Sequence, residues 1–190
     1  MHWNTKPSIV QGRSRYRGCE GGFTLIELLI VIVILSIAAA IVVPMASSAA
    51  SMQLRSAANM VAADLEYAKS LALGTGQRHS VVFDAANERY WIVGGTQYAV
   101  TDAIGHPVKK GFPYVVDFAN DPRLGQVEVV DTDFNGSGNS IVSFDSLGSP
   151  YQGGTTPAPL NSEGVITLQA GGISRTVSVE PVTGFVSISD

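Results

Sequence analysis

Hydrophobic and polar positions follow three successive patterns along the chain, and each predicts a different element. From Phe23 to Val43 the sequence reads FTLIELLIVIVILSIAAAIVV, 21 residues whose only charge is Glu27. About 20 apolar residues suffice to span a bilayer as a helix, so this stretch predicts a membrane helix. Beyond Pro44 the composition turns to Ala, Ser and Met, and Leu54, Ala58, Val61, Leu65, Ala68 and Ala72 recur at spacings of four and three. That periodicity is one face of a helix. Arg55, Asn59, Glu66 and Lys69 mark the opposite face, and Gly74-Thr75-Gly76 supplies a C-terminal stop. Phe23 to Leu73 is therefore predicted as one helix of 51 residues, about 75 Å long at about 1.5 Å per residue.

After Gly76 the period becomes two. HSVVFD, ERYWIV, QVEVVD, SIVSFD, GVITLQ, ISRTVSVE and GFVSIS read as short strands between Gly, Pro, Asn and Asp turns. The predicted class is α+β: a long N-terminal helix, one half in the membrane and one half amphipathic, packed on a β-rich, mostly antiparallel head. The expected boundaries are 1–22 for a leader, 23–43 for the membrane and assembly helix, 44–73 for its amphipathic continuation and 74–190 for the head.

Charge orients this arrangement. Lys6, Arg13, Arg15 and Arg17 against Glu20 give residues 1–22 a net +3 out of a whole-chain −4, so the remainder carries −7. No Lys or Arg follows the apolar run until Arg55, and the positive-inside rule then leaves the N-terminus in the cytoplasm and the head outside. An acidic head repels nucleic acid and anionic lipid at long range, which removes support for general polyanion binding. The only cysteine is Cys19, so a head downstream of it has no thiol for a disulfide or a thiolate metal site. Cys19 is also no lipoprotein anchor, because Arg17 and Gly18 before it follow no apolar stretch. An ordinary secretory signal cut after Ala40, at the small-residue triplet Ala38 to Ala40, is the competing reading of the apolar segment. Glu27 argues against it, since an acidic residue costs about 2.5–3.5 kcal/mol at a bilayer centre and a disposable signal gains nothing from carrying one.

Gly22-Phe23-Thr24-Leu25-Ile26-Glu27, GFTLIE, resembles the processing motif of type IV prepilins and type II secretion pseudopilins. The resemblance implies that a prepilin peptidase cuts between Gly22 and Phe23 and methylates the new Phe23 amine. It also implies that Glu27 pairs with the Phe23 amine of a neighbouring subunit during assembly, a buried ion pair that sets register more than it adds stability. Read from its residues alone, Glu27 has two alternatives: an intramolecular pair, or a side chain that snorkels. Pro44 falls where many pilins carry a proline that bends or locally melts the helix, while its plain reading is the end of a membrane helix.

A second resemblance covers residues 62–190. AADLEYAKSLALGTGQRHSVVFD, SFDSLGSP and ISRTVSVEPVTGFVSIS are similar to minor pilins and pseudopilins of the GspH and FimT type. The shared features are an A-[KR]-x-x-A segment at Ala68–Ala72, an F-x-x-x-G-x-P element at Phe144–Pro150, and a closing strand pair around Thr183-Gly184; Lys69 stands where arginine is usual. The implied role is structural: a minor subunit of a type IV pilus or type II secretion pseudopilus. It would be held in the inner membrane with its head periplasmic until other subunits take it into the filament. DNA uptake, a function of some FimT-like pilins, is the alternative. It needs clustered basic residues, whereas the last 60 residues hold only Arg175, and Lys109-Lys110 is the single basic pair in the head.

Other chemistry finds little footing. DTDFNGSGNS sets Asp131, Asp133, Asn135 and Ser137 at alternating positions, like the first half of a calcium loop, but Val142 occupies the twelfth position where a bidentate Glu is required. A Gly-rich hairpin joining the VEVVD and SIVSFD strands is the favoured reading, on the Asn-Gly turn signal. Gly153-Gly154, Pro157 and Pro159 read as a surface loop. His79 and His106 lie in no nucleophile, metal or phosphate motif. No enzyme activity and no cofactor are expected.

Overall fold

The computed structural model describes residues 22–136 and 138–189; the side chains of residues 41–47 lie outside that description, as does the leader, residues 1–21. The chain divides into two compact units, 1–41 and 42–190. A single helix, α1 (Leu25–Thr75), runs from the first into the second. It continues through Pro44, so the helix does not end there.

In the first unit α1 is apolar on every side. Twelve large apolar side chains between Phe23 and Ile37 remain 45–83% exposed. Among the described residues no helix is long and apolar enough to cross a membrane. The expected span reaches the undescribed side chains at 41–47, and the sixteen residues Leu25–Ala40 extend only about 24 Å at about 1.5 Å each, short of the roughly 30 Å hydrocarbon layer.

In the second unit the helical face read from the sequence is the buried face. Leu54, Ala58, Val61, Leu65, Ala68 and Ala72 are all at most 1% exposed, joined by Ala50 and Ala57. Each buried Leu or Val contributes about 1.5–3 kcal/mol relative to exposure. The helix runs to Thr75, two residues beyond the expected Leu73, and stops with Gly76 in the left-handed region at φ 67° and its N–H donating to the Ala72 carbonyl at 3.0 Å.

Among the described residues ten strands follow: β1 (His79–Asp84), β2 (Arg89–Gly94), β3 (Val115–Asp117), β4 (Glu128–Asp133), β5 (Ile141–Phe144), β6 (Pro150–Gln152), β7 (Ala158–Pro159), β8 (Gly164–Ala170), β9 (Ile173–Val179) and β10 (Val186–Ser189). They form two sheets, β3-β2-β1-β5-β6-β7 and β10-β9-β8-β4, in which the pairings are antiparallel. Both sheets and α1 contribute to one apolar core. Strand β8 alternates buried and half-buried residues throughout, as a sheet covered on one face requires. Strand β1 is buried at five consecutive positions, because a second cluster of Val82, Trp91 and Val93 covers its outer face with Tyr98, Val100 and Val115.

Three sequence expectations need correction. The seven expected strands form, but β3, β6 and β7 were not foreseen, being two or three residues long and too short to show a period. The segment between β4 and β5 is not a hairpin. Its Asn135 and Gly136 do adopt φ 70°, yet β4 pairs with β8 and β5 with β1 and β6, so the turn carries the chain from one sheet to the other. Within the expected loop around Pro157 and Pro159, Ala158–Pro159 add an edge strand to β6, an edge being where proline can sit in a sheet.

Candidate assembly site

The start of α1 is built by a local signal not recognised as such in the sequence. Thr24 Oγ1 accepts the Glu27 backbone N–H at 3.2 Å, and the Thr24 carbonyl accepts the Leu28 N–H at 3.1 Å. Thr24-x-x-Glu27 is the capping-box spacing. Glu27 therefore sits in the first turn, where a negative charge is favoured by the helix dipole. Its side chain is exposed, as are Gly22 and Phe23. Glu27 thus has a local structural role in addition to the one the resemblance assigns it.

Three segments distant in sequence converge at the other end of α1. Lys69 Nζ donates to the Gly184 carbonyl at 3.0 Å. Gly184 has φ 60°, and a β-carbon there would stand 2.8 Å from the Gly148 carbonyl oxygen and 3.2 Å from the Phe144 ring. Gly148, at φ 80°, lies against Lys69 and Leu73. The AKSLA, FDSLGSP and Thr-Gly elements are therefore parts of one packing junction. A single ammonium donor serves there, so arginine's forked geometry is not needed. Lys69 leaves the exposed helix face to make this bond.

Asp64 is a buried acid, 8% exposed, on the apolar face of α1 and not singled out from the sequence. Tyr90 and Tyr114 each donate a hydroxyl hydrogen bond to it at 2.6 Å. Desolvation raises the Asp64 carboxyl above its ordinary value, opposed by the two tyrosine bonds and by His106. Burial, reinforced by Asp64, raises both tyrosines. His106 stacks on Tyr114 at 4.8 Å, and its Nδ1 accepts the backbone N–H groups of Val108 and Lys109, each at 3.1 Å. A cleft of about 520 Å³ opens beside them, reaching Lys109, Asp121 and Arg123. The acids of this cleft all have partners: Asp64 holds two hydroxyls, Asp117 accepts from the Asn120 amide at 2.8 Å, and Asp121 pairs with Arg123 at 3.1 Å. The network holds α1 to the sheet through β2 and the segment entering β3.

Asn135 is likewise engaged within the fold. Its amide donates to Gln152 Oε1 and the Pro159 carbonyl, and its Oδ1 accepts the Asn161 N–H at 2.9 Å. Asp131 and Asp133 lie on β4 opposite Thr167 and Val165; Ser137 is outside the described residues. Among the described residues no three His, Cys, Asp or Glu side chains gather around a common point. His79 is buried at the start of β1, its Nδ1 3.1 Å from the Gln77 carbonyl.

A capped apolar helix thus continues into the core of an antiparallel α+β head. The profile of the prokaryotic N-terminal methylation motif matches residues 17–43, which contain Gly22, Phe23 and Glu27. No curated protein matches the chain. Among solved structures, the type IV minor pilin FimU of Pseudomonas aeruginosa is 18% identical over 74% of this chain and 90% of its own, with a TM-score of 0.46. The minor pseudopilin EpsH of the Vibrio cholerae type II secretion system is 11% identical over 72% of this chain and 96% of its own, with a TM-score of 0.48.

Proposed function

We propose that this chain is a structural minor pilin or pseudopilin, released from its leader by cleavage between Gly22 and Phe23 and methylated at the Phe23 amine. The observation that carries the reading is the first unit of α1, where twelve large apolar side chains surround the helix and none is covered. A helix apolar all round must be enclosed by lipid or by other helices. A subunit that passes from the inner membrane into a filament meets both conditions in turn, exchanging lipid contacts for protein contacts while Glu27 finds the amine of a neighbour. The acidic head stays periplasmic.

Intact mass and N-terminal sequencing of the protein from its native membrane test the processing step. The expected product starts at methylated Phe23. A terminus at Ile41 would show cleavage at the Ala38 to Ala40 triplet and overturn the proposal.

A further inference from the structure

The head ends its two sheets on β3, β7, β4 and β10, and these edges are not alike. Strand β3 is three residues long and ends on Asp117; β7 is two residues long and contains Pro159. Strand β4 carries Glu128, Asp131 and Asp133 and is irregular between Val129 and Asp131. Short length, charge, proline and bulges are the features that keep an edge from accepting another strand. Strand β10, VSIS, has no charge and no proline within its four residues, Asp190 coming only after it, and it pairs with β9 without interruption.

The direction of its free backbone groups follows from the register. The Glu180 N–H donates to the Phe185 carbonyl at 2.9 Å, and Val186 to Ser189 lie opposite Val179 to Thr176. Hydrogen-bonded pairs alternate in an antiparallel ladder, so Ser187 and Ser189 bond to β9 while Val186 and Ile188 aim N–H and C=O at the open side. The Val186 and Ile188 side chains pack on the core, which fixes the strand in that orientation.

An apolar shelf adjoins the start of this edge. Leu73, Leu147, Val182 and Phe185 are 52%, 80%, 77% and 60% exposed, and they are gathered by the junction in which Leu73 and Gly184 both meet Gly148. Val182 has φ 68°, a left-handed conformation that is a genuine outlier for a β-branched residue. Such strain persists where surrounding structure enforces it, and it concentrates at ligand clamps.

We propose that β10 receives an extended strand of a different polypeptide, apolar at alternating positions. The incoming strand pairs its backbone with Val186 and Ile188 and lays side chains on Leu147, Val182 and Phe185. The open row of alternating donors and acceptors selects a peptide backbone, and the shelf beside it selects apolar side chains. A second copy of this chain is disfavoured because each copy would bring the −7 charge of residues 23–190 against the other. The proposal rests on edge geometry and stands apart from the filament reading.

The test uses the full chain, either in its native membrane and filament fractions or released from them in detergent. Residue-resolved hydrogen exchange is read at Val186 and Ile188. Exchange at these two amides is expected to be at least about tenfold slower in the native fraction, with Ser187 and Ser189 protected in both samples. Cross-linked peptides attached to residues 184–189 should come from another protein. Ile188→Pro removes an outward N–H, and Ser187→Lys adds an edge charge without touching the ladder; both should abolish the protection, the second with an unchanged melting temperature. Equal exchange in the two samples overturns the proposal, as does protection that survives Ser187→Lys. Cross-links to a second copy of this chain would overturn the assignment of the partner. Because the readout is taken wherever the chain resides, it holds even if the chain never enters a filament.

Discussion

Glu27 is asked to do two things by its position. In the folded chain its carboxylate lies in the first turn of α1, where its backbone N–H is capped by Thr24, and after cleavage it would face a positively charged amine one turn away. Glu27→Ala should leave cleavage at Gly22 and membrane insertion intact, since the helix becomes more apolar, and should strongly reduce the amount of chain in sheared filaments. Stranding one member of a buried ion pair costs about 3–5 kcal/mol, far more than the roughly 0.3–1 kcal/mol that a first-turn charge gains from the helix dipole. Quantifying the chain in filament and membrane fractions separates the two roles. Wild-type incorporation of the alanine variant would leave only the first-turn charge.

Asp64 offers a residue-scale test inside the head. Its acceptors satisfy two tyrosine hydroxyls, of which Tyr90 is completely buried, so Asp64→Ala should lower stability by about 1–3 kcal/mol for that hydroxyl alone. The pH dependence has a definite sign. The folded carboxyl is raised above 3.8, so the folded state holds its proton more tightly than the unfolded chain does. The Asp64 contribution therefore improves as pH falls through the folded value and is complete below 3.8. Denaturant midpoints of wild type and Asp64→Asn between neutral pH and pH 3 should show the difference moving in favour of wild type as the pH falls.

At the scale of elements, the junction of α1 with the two turns depends on backbone closeness at Gly184. A side chain there meets the Gly148 carbonyl and must also adopt φ 60°, which by itself costs about 1–2 kcal/mol for an L-residue. Gly184→Ala should lower the melting temperature of the head and release Lys69 from its carbonyl partner. Lys69→Met should do less, because it removes only the hydrogen bond, about 1.5–3 kcal/mol, which Gly184→Ala releases as well on top of its strain and backbone clash, and an unbranched apolar stem stays packed. Thermal melts of the two variants give the order.

The whole molecule separates by solvent. The second unit owns a continuous core, while the described side chains of the first, 22–40, are all exposed. A fragment from Ser48 to Asp190 keeps Ala50, which is 2% exposed and sits beside Gly171. It should be soluble, β-rich with one helix, cooperative in melting and indifferent to reductant, since Cys19 is absent from it. Circular dichroism and sedimentation check this; insolubility under every condition would show that the head needs the first unit.

The sequence by itself determined the helix, its buried face, its stop at Gly76 and the seven longer strands, because each rests on a period or a turn residue whose physics is local. It also held the GFTLIE motif and the capping spacing of Thr24 and Glu27. Sheet assignment was decided only by tertiary structure: the Asn135-Gly136 turn has the backbone a hairpin needs, yet packing sends β4 and β5 to different sheets. Strands β3, β6 and β7 exist because longer neighbours offer them an edge. Asp64 interrupts an apolar face in the sequence, and only the meeting of Tyr90 and Tyr114 above it supplies the donors that let a carboxylate be buried there. The same holds for Lys69 and for the open edge of β10. Their partners, or the lack of one, lie far along the chain, and long-range pairing leaves no periodic trace in the residues that make it.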